Sequence, residues 1–123
     1  RTIVITPYDK GALKAIEAAL REMPNLDANP QNDGNLIRVT LPDLTEERRR
    51  DLVKKAKAEA EQAKVGIRNN RKDALDMIKD LKNDGLSEDA VKVAEEEVQK
   101  ITNSYIKKVD DLIELKEKDI MTV

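Results

Sequence analysis

The chain has 123 residues, of which 39% are hydrophobic and 39% charged, and its formal net charge at pH 7 is −2. It contains no Cys and no His, which excludes disulfide bonds, the usual zinc sites and nucleophiles activated by a histidine. Its aromatic residues are Tyr8 and Tyr105, so a core built on aromatic packing is excluded and thin helix-on-helix packing is favoured.

The chain opens with a predicted strand and helix. Apolar residues alternate over residues 2–7 around Ile3 and Ile5, and Pro7 then ends the strand. Over residues 10–23, apolar side chains recur three and four positions apart, which predicts a helix of about four turns. Because the chain begins inside the strand and without Met, we expect that upstream sequence is missing from it.

A second strand is predicted over residues 36–41, after a loop dense in turn residues at 29–35. Strand, helix and strand together make a partial small β-α-β domain over residues 1–43. A two-stranded sheet cannot bury both of its faces unaided. We therefore expect further elements of this domain upstream.

Residues 44–123 predict a long antiparallel helical hairpin. Thr45 is a suitable N-cap, and the first helix continues without Pro to about Lys82. Gly85 is placed to end it as a left-handed C-cap, and Ser87 caps the second helix. Because the link between the helices is short, they must fold back on each other. The predicted class is thus α+β, with this hairpin beside the small domain.

Both helices carry an apolar stripe at helical spacing. In the first helix it comprises Leu52, Ala56, Ala60, Ala63, Ile67, Ala74, Ile78 and Leu81. In the second helix it comprises Val91, Ala94, Val98, Ile101, Tyr105, Val109 and Leu112, with Ile120 as a further candidate. Many of these residues are small, so the hairpin alone buries little surface. We predict that they are two helices of a three-helix bundle, and that this chain by itself self-associates.

The two helices differ in charge. Residues 46–73 contain ten Lys or Arg against six Asp or Glu, whereas residues 80–123 contain seven against twelve. At about 100° per residue, six cations of the first helix lie within roughly 80° of one another, about 120° from the centre of the apolar stripe. They are Arg50, Lys54, Lys57, Lys64, Arg68 and Lys72, with Arg71 at the edge. The pattern indicates a surface for a polyanion such as RNA, while a merely solubilising face stays open.

Three poor helix formers lie beside these cations. Asn69 and Asn70 are unfavourable in mid-helix, and Gly66 costs about 1 kcal/mol relative to Ala. They indicate a polar contact site, although a buried Asn that fixes the register of a bundle is equally compatible. Since neither Arg68 nor Arg71 belongs to the apolar stripe, we expect their replacement to leave the fold nearly unchanged.

No catalytic constellation is found in the sequence. The carboxylates of residues 95–97 point in different directions around a helix, and those of Asp110 and Asp111 do the same, as on a solvated face. Gly34 stands alone, without a phosphate-binding loop around it. We therefore expect neither an enzyme nor a bound cofactor or metal. No apolar run approaches a membrane span, and we expect a cytoplasmic protein.

Several segments, in the right order, resemble the bacterial ribosome-recycling factor family. Residues 65–73, with the sequence VGIRNNRKD, are similar to the family signature V-x-V/I-R-N-x-R-R/K-D. Residues 44–50 resemble the opening of its second bundle helix. Further similarity lies at residues 36–42, 98–102, 106–108 and 116–121. The resemblance covers essentially the whole chain and identifies it as a C-terminal part of such a protein.

The resemblance implies an L-shaped protein in which a three-helix bundle carries a small α/β domain. One hinge segment matches Pro42, Asp43 and Leu44. The first bundle helix and the start of the small domain would precede Arg1. The bundle would lie across the tRNA sites of the large ribosomal subunit after termination, and elongation factor G would drive separation of the subunits with GTP.

The residues that match the family's RNA-contacting motif are Arg68, Asn69, Arg71 and Lys72, and the basic face adds Lys64. Lys72 stands where many members have Arg, which puts a bidentate contact there in doubt. Gly66 replaces the commoner Ala or Ser and Asn70 an apolar residue, which leaves the packing against the missing helix open.

Two other functions remain to be weighed. A structural coiled-coil adaptor would use its Lys and Arg only for solubility, and its binding to RNA would lack a steep salt dependence. A hydrolase using carboxylates is disfavoured because no pair of them is placed in a predicted cleft.

Overall fold

The computed structural model describes residues 1–24 and 26–123, and the chain divides into two units, Arg1–Leu44 and Thr45–Val123. In chain order the elements are β1 (Thr2–Ile5), a 3₁₀ turn (Lys10–Ala12), α1 (Leu13–Glu22), β2 (Gln31–Asn32), β3 (Ile37–Thr40), α2 (Glu46–Asn83) and α3 (Glu88–Met121). The predicted α+β class is confirmed. In the described part of the chain, no helix is long and apolar enough to cross a membrane.

The strands form one antiparallel sheet in the order β1-β3-β2. Ile3 lies opposite Val39 and Ile5 opposite Ile37, so these four side chains share one face of the sheet. The prediction of a two-stranded sheet is wrong, because two residues of the predicted loop at 29–35 form a third strand, β2. Its two residues have no strand pattern of their own, and only their pairing with β3 makes them a strand.

The turn from β2 to β3 is held by side chains that accept backbone hydrogen bonds. The Asp33 carboxylate accepts from the N–H groups of Leu36 and Asn35, both at 2.9 Å, which lowers the pKa of Asp33. Asn32 Oδ1 accepts from the N–H of Gly34 at 2.8 Å. Gly34 has a φ of 87°, a left-handed conformation that glycine adopts without strain. These bonds fix the register of β2 on β3.

The core of this unit lies between the sheet and α1. Leu13 from α1 and Ile37 and Val39 from β3 are buried, and Ile16 and Leu20 pack against them. The predicted helix over residues 10–23 is divided, because a 3₁₀ turn precedes Leu13. A helix therefore covers the face of the sheet to which Ile37 and Val39 point.

Ile37 is the residue whose truncation should cost this unit most. Its exposure is 0%, so Ile37→Ala should leave a cavity and lower the free energy of unfolding of the unit by about 2–5 kcal/mol. Val4→Ala, at a half-exposed position of the neighbouring strand, should cost less than about 1 kcal/mol. Hydrogen exchange at the amides of β3 measures both, and equal losses would contradict the assignment of Ile37 to the core.

The helical hairpin begins and turns at the predicted caps. Thr45 Oγ1 accepts from the N–H of Arg48 at 3.1 Å, and Ser87 Oγ accepts from the N–H of Ala90 at 3.2 Å. Gly85 has a φ of 107° and donates its N–H to the carbonyl of Lys82. The N–H of Leu86 donates to the carbonyl of Leu81. This pair of bonds is a Schellman motif, which needs a left-handed residue at Gly85.

α2 and α3 pack against each other in antiparallel directions along a narrow seam. Its buried residues are Val53 and Ile78 of α2 and Val91 and Thr102 of α3. The Thr102 hydroxyl is satisfied because it donates to the carbonyl of Val98 at 2.7 Å. Each helix therefore contributes only a thin line of residues to the contact.

The seam does not cover the whole predicted stripe. The exposed fractions of Ile101 and Tyr105 are 49% and 52%, and Leu112 is more exposed still. They lie along an open groove between the helices. A pocket of about 370 Å³ in this groove is lined by Ile67, Asn70, Arg71, Ala74, Val98, Ile101, Thr102 and Tyr105.

This groove supports the predicted self-association of the isolated 123-residue chain. Replacing Ile101 and Tyr105 by Gln removes apolar surface from the groove and should weaken association by about tenfold or more. Val93→Gln, at a 66% exposed position outside the groove, should change little. Sedimentation at several concentrations measures the effect. A monomeric wild-type chain at micromolar concentration would contradict the prediction.

Candidate nucleic-acid interface

The basic residues of α2 fall into two groups in the structure. Arg68 and Lys72, one turn apart, are exposed and lie beside the seam, and Asn69 is exposed next to them. Lys64 and Arg71 are only partly exposed, because they lie on the margin of the seam itself. The expectation that the cations of α2 all lie away from the helix contact is therefore wrong for Lys64 and Arg71, and also for Lys57, which pairs with Glu117 of α3.

A ladder of polar contacts runs along this margin. Lys57, Lys64 and Arg71 recur every seven residues, a spacing that brings them to nearly the same side of α2. Lys57 Nζ lies 3.1 Å from Glu117 Oε1, and Lys64 Nζ forms an ion pair with Asp110. Because Glu117 and Asp110 are also seven residues apart, the two ion pairs follow one another along the seam.

Lys64 is the most enclosed of these cations. Its side chain is 14% exposed, and Nζ also lies 3.3 Å from Glu61 Oε1. The hydrogen bond to Asp110 raises the pKa of Lys64, with a smaller contribution from Glu61, and partial desolvation opposes the rise. Two carboxylates thus compensate the charge of Lys64 within the hairpin.

Arg71 occupies the third position of the ladder, and among the described residues no carboxylate forms an ion pair with it. Its Nη1 donates to the amide oxygen of Gln99 at 3.4 Å. Its Nε is buried without a hydrogen-bond partner in the described part of the chain. The positive charge of Arg71 is therefore left uncompensated. Because the side chain is partly buried, its truncation would also disturb the seam, whereas we expected its replacement to leave the fold nearly unchanged.

Arg71, Arg68 and Lys72 together present cations over about 100° of the α2 surface. Guanidinium groups can bind phosphate through two parallel hydrogen bonds, and the ammonium of Lys72 adds a point charge. Asn69 can donate to a phosphate or a sugar hydroxyl. Asn70 instead lines the groove. Within the described ranges, no group of three or more His, Cys, Asp or Glu residues could hold a metal ion.

Comparison with known proteins identifies the family. The model of the family described as ribosome recycling factor matches residues 1–121. The ribosome-recycling factor of Flavobacterium johnsoniae is 56% identical over 123 residues, which are 100% of this chain and 65% of that protein. The chain belongs to the ribosome recycling factor family. It spans about two thirds of the length of the curated relatives that it matches.

Two solved structures of the family resemble the fold. A solution structure of the ribosome recycling factor is 50% identical, with a TM-score of 0.70, and the match covers 99% of this chain and 64% of that one. The second is the T. thermophilus ribosome recycling factor, described together with E. coli elongation factor G on the E. coli post-termination complex. It is 48% identical with a TM-score of 0.59, and the match covers 99% of this chain and 66% of that one.

Sequence reasoning missed the residues of α3 that face the ladder. Glu117, Asp110 and Asn103 are spaced by seven residues, as are the cations of α2 that run in the opposite direction. In an antiparallel pair, two such series can lie opposite each other, as Lys57 with Glu117 and Lys64 with Asp110 do, whereas Arg71 meets Gln99 in place of Asn103. That shared spacing was the signal that could have located the polar margin of the seam.

The ion pair of Lys64 should give the hairpin a pH dependence of known sign. Because the folded-state pKa of Lys64 is raised, its contribution to stability is complete below the ordinary lysine pKa of 10.5 and is lost as the pH rises through the folded value. Lys64→Met should therefore lower Tm at pH 7, and its difference from wild type should shrink above pH 10.5.

The matched control is Lys54→Met, which removes an exposed lysine of the same helix. Its Tm should stay close to that of the wild type across this range. A Tm difference for Lys64→Met that is the same at pH 7 and above pH 10.5 would contradict an ion-pair role.

Proposed function

We propose that this chain is part of a non-catalytic, cytoplasmic translation factor that binds ribosomal RNA of the large subunit. With elongation factor G, it would split the post-termination ribosome into subunits. Membership of the ribosome recycling factor family supports this proposal. The T. thermophilus relative, described with elongation factor G on a post-termination complex, supports the choice of partners.

The observation that carries the proposal is that the charge of Arg71, the last cation of the ladder, is not compensated by a described carboxylate of α3. Along the seam margin, Lys57 and Lys64 pair with carboxylates of α3, whereas the partner that the described part of the chain gives Arg71 is the amide of Gln99. Arg68 and Lys72 extend the uncompensated charge onto the exposed surface. Positive charge that the protein leaves uncompensated attracts phosphates and releases their counterions on binding.

Within the proposed RNA-binding set, we assign different weights to its five residues. Arg68 and Arg71 would grip phosphates, while Asn69 and Lys72 would make single contacts beside them. Lys64 would contribute least, because Asp110 and Glu61 already compensate its charge. For its ammonium to reach RNA it would have to exchange an internal partner for a phosphate.

The division of labour between the two units is also part of the proposal. Residues 1–43 would form part of the small domain, and residues 44–123 two helices of the bundle domain. Pro42, Asp43 and Leu44 would act as the hinge between them, because Pro42 has no N–H with which to tie the units together. The groove along Ile101 and Tyr105 would receive the remaining helix of a three-helix bundle.

A structural adaptor is the second candidate function, and the ladder itself is the observation that favours it. Lys57 and Lys64 help to hold the hairpin together through Glu117 and Asp110. In an adaptor, all cations of α2 would serve the fold or its solubility. Binding to large ribosomal subunits would then be weak and would lack a steep dependence on salt.

Arg68→Ala in the full-length chain tests the proposal without disturbing the seam. The variant should keep the wild-type Tm, because the side chain is exposed. Its affinity for isolated large ribosomal subunits should fall by roughly tenfold, the loss of one charge-assisted hydrogen bond. The slope of log affinity against log salt concentration should become shallower by about one.

Lys55→Ala is the matched control, because Lys55 is exposed on α2 about 140° away from Arg68 and its removal changes the net charge equally. It should bind almost as the wild type does. If Arg68→Ala and Lys55→Ala have the same affinity for large ribosomal subunits, the cations of α2 act only through net charge. The proposed interface is then wrong.

A further inference from the structure

The polar margin of the seam changes its chemistry at Arg71. Opposite Lys57 and Lys64, α3 supplies the carboxylates of Glu117 and Asp110. Seven residues before Asp110 stands Asn103. Among the described residues, however, Arg71 contacts the amide of Gln99 and neither Asn103 nor a carboxylate. A ladder of ion pairs is thus continued by amides at the position where the proposed function needs a free cation.

The two amides form a chain of hydrogen bonds with a defined direction. Gln99 Nε2 donates to Asn103 Oδ1 at 2.8 Å, so the amide oxygen of Gln99 is the atom turned toward α2. That oxygen accepts from Arg71 Nη1 at 3.4 Å. Asn103 therefore orients Gln99, and Gln99 in turn offers the guanidinium an acceptor rather than a donor.

The charge of the acceptor decides what Arg71 can still bind. A carboxylate at the position of Gln99 could take both parallel donors of the guanidinium and neutralise its charge. A neutral amide oxygen restrains one nitrogen and leaves the net charge and most of the donors available. An arginine restrained in this way loses less freedom on binding phosphate than one that moves freely.

We propose that Gln99, oriented by Asn103, is a positioning residue that holds Arg71 toward the RNA phosphates without compensating its charge. This inference rests on the proposed function and adds to it a residue of α3, the helix whose net charge is acidic. The amide of Gln99 thus distinguishes Arg71, which would bind RNA, from Lys57 and Lys64, whose charges are paired within the hairpin.

Gln99→Glu in the full-length chain tests the inference, with isolated large ribosomal subunits as the probe. The new carboxylate should pair with Arg71, raise Tm at low salt, and lower the affinity by roughly tenfold, as the loss of one charge-assisted hydrogen bond would. The salt slope should become shallower by about one. In an Arg71→Ala background, Gln99→Glu should have almost no further effect on affinity, because the cation it acts on is gone.

Gln62→Glu is the matched control, since it makes the same chemical change at an exposed residue of α2. It should leave affinity, slope and Tm near the wild-type values. Gln99→Met removes the acceptor without adding charge. It should weaken binding only a few-fold and keep the wild-type salt slope, because the cation remains but is no longer restrained.

The outcomes separate this inference from the function on which it rests. If Arg68→Ala weakens binding but Gln99→Glu binds as the wild type does, the positioning role of Gln99 is overturned and the proposed function stands. If Arg71→Ala binds as the wild type does, both are overturned. A Tm for Gln99→Glu below that of the wild type would also overturn the inference, because it requires a new stabilising ion pair.

Discussion

The contact between α2 and α3 is the constraint on which the rest of the helical unit depends. It is narrow, because Ala and other small residues bring the helices together along a line that buries few large side chains, Val53, Ile78 and Val91 among them. Because the seam is narrow, each helix has partly exposed residues on both sides of it. One margin is apolar and opens as the groove along Ile101 and Tyr105, and the other is polar and carries the ion pairs of Lys57 and Lys64. Arg71, the third cation of the ladder, also lines the groove.

The polar margin explains how one basic helix could serve both stability and the proposed binding of RNA. Cations that recur every seven residues lie on the side of α2 that meets α3, so their roles depend on the residue of α3 that each of them contacts. Asp110 turns Lys64 into a structural partner, whereas Gln99 leaves Arg71 charged. Arg68 and Lys72 are exposed beside the seam, so the residues of α3 do not decide whether their charges are compensated. The number of cations in α2 therefore overstates the charge that is available to a ligand.

The small unit is stabilised differently, because α1 covers one face of its sheet. Ile37 and Val39 are buried beneath Leu13 and its neighbours, and the opposite face of β3 carries Arg38, which is exposed. Ile3 and Val4 of β1 are about half exposed, as are Ile101 and Tyr105 along the groove. Each unit thus has a core of its own and apolar surface beyond it.

Local chemistry was readable from the sequence alone. Thr45, Ser87 and Gly85 determine where the long helices begin and end, because caps and left-handed turns depend on neighbouring backbone groups. The motif around Arg68 and the apolar spacing likewise identified the family and the hairpin. Only the tertiary structure decided β2, which exists through its pairing with β3, and the orientation of Lys64 and Arg71. Helical periodicity gives the angle between two residues of one helix but not which arc meets a neighbour, and that arc was set by packing against α3.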